Sequence, residues 1–270
     1  MLRYMFYGCH ECIVGTSLAV LVISAFLGCV LYTFEIDFVQ DLDIICSMAE
    51  SAEDNFEKFR NEKHSAFVLG YTGETGKVLV KELAKAKLFD KIYLIGRRQV
   101  PLGPDVGTEF EQKVVDFDNL EAHADVFSNI DTGFCCLGTT KGKSGAKGFV
   151  KVDHDYVLSA AEIAKKSGCN HFTVMSTQRA DKNSSLLYTR TKGQVEEALK
   201  VIHFDRLSIF RPGVVLKPVA YLFPTAITTP VETVARAMIN NAVTQSGKTT
   251  EVYENRAIHY LSGTYDKGSA

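Results

Sequence analysis

The chain has 270 residues, of which 46% are hydrophobic and 23% are charged. This length suits one globular α/β domain with an appendage. The formal net charge is −2, and the basic residues are scattered, so no basic field recruits nucleic acid. Of the seven cysteines, Cys9 and Cys12 form one C-x-x-C pair, and no second pair follows at the spacing of a zinc site. Neither a disulfide framework nor a metal site is therefore expected.

Residues 1–47 form a hydrophobic extension. The stretch 13–34 carries no charged residue, and about 20 such residues can cross a bilayer. It predicts a signal-anchor helix, with a cleaved signal peptide and an extension present in only some forms of the protein as alternatives. A signal peptide is disfavoured because Arg3 is the only lysine or arginine before the stretch and no A-x-A cleavage site follows it. The polar stretch 48–64 that comes next predicts a helix.

A glycine-rich turn at 70–76 organises the rest of the chain. An apolar run before it predicts a strand, and a helical apolar pattern follows it. Strand, glycine turn and helix form the context of a dinucleotide fingerprint, since the N–H groups of a helix N-terminus suit a pyrophosphate. Gly70 permits the tight turn, Gly73 lets backbone approach phosphate, and Gly76 lets the helix pack on the strand. The G-x-x-G-x-x-G spacing differs from that of many dehydrogenases, so a turn that binds nothing is the alternative.

The second strand, predicted over 91–96, ends in Arg97 and Arg98. In dinucleotide folds the residue after this strand meets the adenosine ribose. An acid there selects NAD, whereas an arginine accommodates the 2′-phosphate of NADP. Two arginines and no acid favour NADPH, because a guanidinium binds phosphate through paired hydrogen bonds. A solvated pair of loop arginines is the alternative.

Asp116 follows a third strand, predicted over 112–115. Its carboxylate could accept a hydrogen bond from the adenine amino group. It could equally cap a helix that begins near Asn119. The sequence leaves both possibilities open.

A small residue, Gly138, follows the fourth predicted strand, 133–137. The absence of a side chain there would let a cofactor's ribose and pyrophosphate lie against backbone. The glycine-rich segment 138–148 is expected to be a long mobile loop, and 149–167 an amphipathic helix.

Three residues that suit proton chemistry come next. Strand five, predicted over 171–175, delivers Ser176, and Tyr188 and Lys192 follow at i and i+4 on one helix face. A nearby ammonium favours tyrosinate, and a tyrosine can exchange a proton with a carbonyl oxygen while hydride moves at carbon. A serine hydroxyl can hold the same oxygen. Taken by itself, the Tyr-x-x-x-Lys motif could be an ordinary pair of side chains on a helix surface. Here it comes after the glycine turn, the two arginines and Ser176, and this ordered set of motifs is more specific than any one of them.

This ordered set resembles the short-chain dehydrogenase/reductase superfamily, in its extended or atypical branch. The resemblance covers about residues 48–260. It is closest to a vertebrate oxidoreductase-like subgroup, with similar motifs at 70–76, 94–98, 114–117, 133–140, 152–158 and 210–214. It implies a Rossmann fold over 65–262, which is a doubly wound parallel sheet with helices on both faces. Residues 263–270 are expected to be a flexible tail.

The resemblance also implies roles for individual residues. Tyr188 is the implied catalytic acid/base, Lys192 its partner and Ser176 the hydroxyl that orients the carbonyl. The implied cofactor is NADPH. Its implied contacts, with those argued above, are Gly70, Thr72, Gly73, Glu74, Thr75, Gly76, Arg97, Arg98, Asp116, Leu137, Gly138, Tyr188, Lys192 and Val215.

The subgroup is further described as regulatory, as a metastasis (tumour) suppressor and a pro-apoptotic factor. This implies a redox-sensing adaptor that associates with nuclear import receptors of the importin-β type and with transcription-related proteins. The implied location is the cytoplasm and the nuclear envelope, with membrane anchoring through 13–34 as the alternative. The alternative function is an NADPH-sensing interaction protein with little turnover.

Three features depart from the family pattern, and the first is the extra hydrophobic extension before Met48. Tyr71 and Thr72 stand where a small pair is usual, so a tyrosine is expected to fit near the phosphates. Only residues 217–230 join the last long strand to the helix predicted at 231–243. Fourteen residues can link the two but can hardly also fold into a lid, which leaves closure over the nicotinamide an open question. A final short element is expected over 251–261.

Overall fold

The computed structural model describes residues 55–213, 229–244 and 246–263. Seven strands occur in these ranges: β1 (Ser65–Leu69), β2 (Lys91–Gly96), β3 (Phe110–Val114), β4 (Thr132–Cys135), β5 (His171–Met175), β6 (Arg206–Arg211) and β7 (Thr250–Glu254). They form one sheet in the order β3-β2-β1-β4-β5-β6-β7, and every neighbouring pair is parallel. The order reverses between β1 and β4, and in such sheets ligands bind in the crevice beyond the carboxyl ends at this point.

Helices cover both faces of the sheet. They are α1 (55–61), α2 (Glu74–Ala86), α3 (Lys141–Val150), α4 (Tyr156–Lys166), α5 (Leu187–Val201), α6 (Val231–Val243) and α7 (Asn255–Ser262). A π-helical turn, Lys151–Asp155, joins α3 to α4, and a kinked 3₁₀ segment, Phe117–Phe127, follows β3. One hydrophobic core packs α2 and α6 on the sheet, and the other packs α4, α5 and the 3₁₀ segment on the opposite face. Residues 66–69 of β1 are fully buried, as expected of a strand covered on both faces.

The predicted doubly wound α/β fold is confirmed. β2, β5 and α6 have the predicted bounds. The final element is a strand followed by a helix, β7 and α7, where the sequence predicted one short element.

The predicted mobile loop over 138–148 is wrong, because helix α3 begins at Lys141. Its glycines lower helix propensity, and Gly145 interrupts the helix at a φ of +68°. Phe149 near the end of α3 is buried, and packing of this side chain outweighs the local propensity.

Several predictions fall outside the described ranges. They concern the extension 1–47 with its anchor at 13–34, the contact at Val215, most of the connection 217–230, and the tail beyond 263. Of the helix predicted over 48–64, the described part is helical from 55 to 61. None of the helices in the described ranges has both the length and the apolar character that a bilayer crossing requires.

A buried histidine lies in the sheet at the start of β5. The Nε2 atom of His171 is 3.0 Å from the Ser208 hydroxyl and 3.3 Å from the Thr173 hydroxyl. Burial lowers the pKa of His171 to about 3, and the nearby Arg206 guanidinium also lowers it. His171 is therefore neutral at physiological pH.

This histidine makes stability depend on pH. An unfolded histidine titrates with a pKa of about 6.5, so between pH 6.5 and pH 3 only the unfolded chain binds this proton. The stabilisation is complete above about pH 6.5 and is lost as the pH falls towards 3. We expect His171 to lower the free energy of unfolding by roughly 2–3 kcal/mol between about pH 6.5 and about pH 4.5.

Urea unfolding at several pH values would measure this loss. His171→Gln, which cannot titrate in the window, should show a flatter pH dependence than the native chain. His203→Asn is the matched control, because His203 is exposed and its φ of +58° suits asparagine. An equal slope in the native chain and His171→Gln would contradict the prediction.

Candidate active site

The turn after β1 requires glycine. Gly70 has a φ of +76°, and a Cβ atom there would lie 2.5 Å from the Cys136 carbonyl oxygen. The Gly70 carbonyl accepts a hydrogen bond of 2.9 Å from the Gly73 N–H. A Cβ atom on Gly76 would lie 2.2 Å from the Gly70 carbonyl oxygen. The turn, β4 and the first turn of α2 are thus in backbone contact, which only glycine permits at these two positions.

The N-terminus of α2 is open. Gly73 is its N-cap residue and makes no side-chain capping hydrogen bond. Gly73 and Glu74 are exposed, and Thr72 and Thr75 are partly buried. The first N–H groups of a helix have no intrahelical partner, so this end of α2 offers donors and a partial positive charge to an anion.

Tyr71 does not lie where it was expected. Its side chain is only 2% exposed, and its hydroxyl is 2.7 Å from the Arg98 carbonyl oxygen and 2.8 Å from Gln112 Oε1. Its ring fills the space where Gly96 has no side chain, since a Cβ atom there would lie 2.7 Å from ring atom Cε1. The prediction that Tyr71 fits near the phosphates is wrong, because the ring packs into the core beneath β2. Burial raises the pKa of Tyr71, and Arg98 opposes this rise.

Arg97 and Arg98 follow β2 at the carboxyl edge of the sheet. Both are exposed, and within the described ranges neither guanidinium has an ion-pair partner. Asp116, after β3, is exposed as well, and its carboxylate accepts a 2.9 Å hydrogen bond from the Asp118 N–H. The structure therefore shows the capping geometry for Asp116, and a contact with adenine stays a prediction. Hydrogen bonds from Lys151 and Tyr156 lower the pKa of Asp118.

Leu137 and Gly138 follow β4 at the point where the strand order reverses. Gly138 is exposed, and Leu137 is partly buried. A Cβ atom on Gly138 would lie 3.3 Å from Asp153 Oδ1. This stretch of backbone, the turn after β1 and the two arginines therefore all lie at the carboxyl edge of the sheet.

Ser176 is buried at the end of β5, and its hydroxyl donates a short hydrogen bond to the Glu196 carboxylate. Arg211, at the end of β6, donates from Nε to the same carboxylate at 3.0 Å and from Nη1 to Glu254 at 2.8 Å. Hydrogen bonds to Glu196, above all, raise the pKa of Arg211. A carboxylate has no hydrogen to give, so Ser176 presents lone pairs to any further partner.

Lys192 is also paired with a carboxylate. Its Nζ atom is 3.1 Å from Asp153 Oδ1, with side-chain exposures of 5% and 1% for the two residues. The Met175 carbonyl oxygen lies 3.5 Å from the same nitrogen. The other carboxylate oxygen of Asp153 accepts a 2.7 Å hydrogen bond from the Thr139 N–H. The Asp153 side chain thus connects Lys192 to the backbone at Thr139, directly after Gly138.

Tyr188 is the most exposed of the three predicted catalytic residues. Its side chain is 43% exposed, and its ring centre is 5.9 Å from that of Phe149. Among the described residues no hydrogen bond holds its hydroxyl. Tyr188, Lys192 and Glu196 are spaced four apart along α5, so they lie on one face of the helix.

The cysteines near the site are not reactive groups. Cys135 and Cys136 are buried, as the apolar sequence around them predicted. Burial raises the pKa of Cys135 to about 11, and it raises that of Cys136 further. Thiols of this kind stay protonated and inert at neutral pH. Within the described ranges no cluster of potential ligands could hold a metal ion.

Sequence reasoning missed the partners of the predicted residues: Asp153, Glu196 and Arg211. Glu196 could have been found, because it lies one helical turn after Lys192. Asp153 and Arg211 had no such signal, because each reaches the site from another element of the fold.

Sequence comparison identifies several relatives. No protein-family model matches the chain. The chain is 45% identical over 227 residues to Protein HTATIP2 of Rattus norvegicus, covering 78% of this chain and 94% of that protein. It is 34% identical over 153 residues to Protein FMP52, mitochondrial, of Eremothecium gossypii, and 35% identical over 158 residues to Protein FMP52-2, mitochondrial, of Scheffersomyces stipitis. Each yeast match covers 56% of this chain and 66% of the relative.

Solved structures share the fold at low sequence identity. MoeE5 in complex with UDP-glucuronic acid and NAD aligns with a TM-score of 0.56 at 17% identity, over 70% of this chain and 75% of that one. UDP-glucuronic acid 4-epimerase from Bacillus cereus in complex with NAD aligns with a TM-score of 0.55 at 17% identity, over 70% and 76%. These likenesses establish the Rossmann fold, and the expected family resemblance is confirmed by the match to Protein HTATIP2.

The predicted location is wrong. The sequence reading placed the protein in the cytoplasm and at the nuclear envelope, with anchoring through 13–34 as the alternative, whereas the yeast relatives are named mitochondrial. The motifs that carry the family resemblance concern the fold and the site, and they contain no targeting signal.

Proposed function

This chain belongs to the family of Protein HTATIP2, and we propose that it is an NADPH-dependent reductase of a carbonyl group. Its Rossmann fold, shared with solved structures that contain NAD, supports the proposal. One observation carries the proposal. Ser176 and Lys192 are both buried and held beside the end of β5, and Tyr188 lies one helical turn before Lys192 with its hydroxyl open.

The site fits a nicotinamide dinucleotide. A Cβ atom at Gly70 or Gly76 would collide with neighbouring backbone atoms, so glycine at these positions permits the close turn. Such turns bring helix N-terminal N–H groups to a pyrophosphate. Gly73, Glu74 and Gly138 are exposed around it. These residues, with Thr72, Thr75 and Leu137, would hold the dinucleotide. Arg97 and Arg98 would hold the 2′-phosphate.

When bound, the nicotinamide supplies the hydride. The hydroxyl of Tyr188 transfers its proton to the carbonyl oxygen of the substrate. Lys192 lies on the same helix face and sets the electrostatic environment of that hydroxyl. Ser176 donates to Glu196, so it can accept a hydrogen bond from Tyr188 or from the product alcohol. The role expected from the resemblance, a hydroxyl that orients the carbonyl, stays a prediction.

The preference for NADPH is tested by binding. We expect the full chain to bind NADPH more tightly than NADH by calorimetry. Replacing both arginines, Arg97→Ala/Arg98→Ala, should weaken NADPH binding by about 10–100-fold, because hydrogen bonds to a charged group are worth about 1.5–3 kcal/mol. NADH binding should change little.

Arg256→Ala is the matched control, because Arg256 is an exposed arginine on α7. Tighter binding of NADH than of NADPH would refute the cofactor choice and leave the dinucleotide site intact. Binding of neither would refute the proposed function.

A regulatory role remains a second proposal, drawn from the family resemblance. In it the cofactor orders surface loops and thereby changes what the protein binds. Capture of an importin-β-type receptor by the purified chain, with and without NADPH, tests it. Equal capture in both states would count against a cofactor-gated adaptor, and preferential capture with NADPH would favour it.

A further inference from the structure

A cavity of about 360 Å³ lies at the edge of the sheet opposite the candidate active site. Its lining comes from helix α1, the residue before β1, the start of β6 and the end of α6. The described strands pair in parallel, so these elements meet at the amino edge of the sheet. The six residues of β6 separate the two edges by roughly 16 Å. The cavity is therefore distinct from the region that would hold a dinucleotide.

Part of the cavity wall is apolar. The Phe59 ring on α1 stacks on the His64 ring, with centroids 4.0 Å apart and 27° between the planes. Ala242 and Val243, at the end of α6, contribute aliphatic surface to the same lining. Small-molecule sites are typically about 300–1,000 Å³ in volume, and their walls are mostly apolar with a few polar groups that fix the orientation of the ligand. The size and wall of this cavity thus fit a small molecule with an apolar body.

Arg206, the first residue of β6, supplies a polar group of the wall. Its side chain is 14% exposed, and the fold holds two of its three nitrogens. Nε donates to Glu251 Oε2 at 2.9 Å, and Nη1 donates to the Thr244 carbonyl oxygen. Nη2 is buried and has no hydrogen-bond partner among the described residues. Because a buried donor without a partner is costly, this guanidinium indicates an acceptor that the described residues do not supply.

The charges around the cavity favour an anion. Glu62 Oε2 lies 3.2 Å from His64 Nε2, and Asp131 Oδ2 lies 3.7 Å from His64 Nδ1, so both ring nitrogens have an acidic neighbour. Lys58 on α1 is exposed and lines the same cavity. No carboxylate of the described ranges forms an ion pair with Lys58. Its ammonium therefore adds an uncompensated positive charge near the donor of Arg206.

We propose that this cavity binds a small monocarboxylate with an aromatic or aliphatic body. The body packs on the Phe59 ring and on the wall from α6, and the carboxylate is held by Arg206 and Lys58. One negative charge is favoured over two, since a phosphate monoester carries about −2 at neutral pH and would face the carboxylates of Glu62 and Glu251. The inference does not depend on the proposed reductase, because the cavity lies at the other edge of the sheet.

Calorimetry with 2-naphthoate, a rigid aromatic monocarboxylate, tests this inference on the full chain. NADPH is present in excess, so that a dinucleotide site is already filled. We expect 2-naphthoate to bind with a dissociation constant of about 1 mM or lower, as a ligand of this size allows. Its uncharged analogue 2-naphthamide should bind at least about tenfold more weakly, because hydrogen bonds to a charged group are the stronger ones. Failure of 2-naphthoate to bind, or equal binding of the two compounds, would overturn the inference.

Two variants locate the binding. Lys58→Glu reverses an exposed charge, so it should fold normally and weaken 2-naphthoate binding by about 3–10-fold. Lys81→Glu is the matched control, since Lys81 is an exposed lysine of α2 that does not line the cavity. Ala242→Leu extends a side chain into the cavity and should weaken both compounds. Equal binding by Lys58→Glu and Lys81→Glu would place 2-naphthoate elsewhere and overturn the inference.

A titration of the native chain without NADPH separates this inference from the proposed function. Binding of 2-naphthoate should be the same with and without the dinucleotide. Displacement of 2-naphthoate by NADPH would assign it to the dinucleotide site and overturn only the present inference. The expected binding and variant effects in a chain that binds no nicotinamide cofactor would uphold the carboxylate site and refute the reductase.

Discussion

Tyr188→Phe is expected to lower turnover by about 10²–10⁴-fold, the usual contribution of a positioned general acid. The variant keeps the ring that packs near Phe149 and removes only the hydroxyl. That hydroxyl has no hydrogen bond among the described residues, so its loss should cost little stability. NADPH affinity should change by less than about threefold, since the reaction's proton donor contributes little to binding a dinucleotide.

The measurement is the rate of NADPH oxidation with the best substrate from a panel of aldehydes and ketones. Tyr260→Phe is the matched control, because it removes a hydroxyl from a half-exposed tyrosine on α7. Equal turnover by Tyr188→Phe and the native chain would remove Tyr188 from the mechanism.

Gly70→Ala is expected to destabilise the fold and to abolish cofactor binding together. A φ of +76° costs an L-residue about 1–2 kcal/mol. The added Cβ atom would also lie 2.5 Å from the Cys136 carbonyl oxygen, and overpacking of this kind costs about 1–3 kcal/mol. The free energy of unfolding should fall by roughly 2–5 kcal/mol.

Urea unfolding and NADPH calorimetry on one preparation would measure both effects. Gly103→Ala is the matched control, since a Cβ atom on Gly103 has no atom within 4 Å and should leave stability and binding nearly unchanged. A Gly70→Ala protein as stable as the control would show that the turn is more adaptable than its geometry indicates.

The carboxylate of Asp153 shows what local sequence patterns cannot reveal. Tyr188 and Lys192 were found from their spacing because helical neighbours four residues apart share a face. Asp153 is 39 residues from Lys192 in the chain, and only the packing of the π-helical turn on α5 brings them together. This packing changed the expected chemistry, because it pairs Lys192 with a carboxylate. A separate contact between the end of β5 and α5 makes Ser176 a donor to Glu196.

Tyr71 and α3 illustrate the same division. The position of Tyr71 in the turn was clear from the sequence, but the direction of its side chain depended on the empty space at Gly96, on another strand. The glycines of 141–150 argued for a loop, and burial of Phe149 outweighed them. In both cases a packing contact decided the outcome, and the residues next to it in the sequence did not reveal that contact.

The sequence by itself determined the parallel α/β fold, the glycine turn between β1 and α2, and the order of the predicted site residues. These features rest on local causes, namely apolar periodicity, backbone freedom at glycine and helical spacing, which act within a few residues. Only the tertiary structure decided which charges are compensated, which hydroxyl donates and which side chain stays open. Those properties depend on burial and on distances between elements far apart in the chain, and burial makes each unpaired charge too costly to leave without a partner.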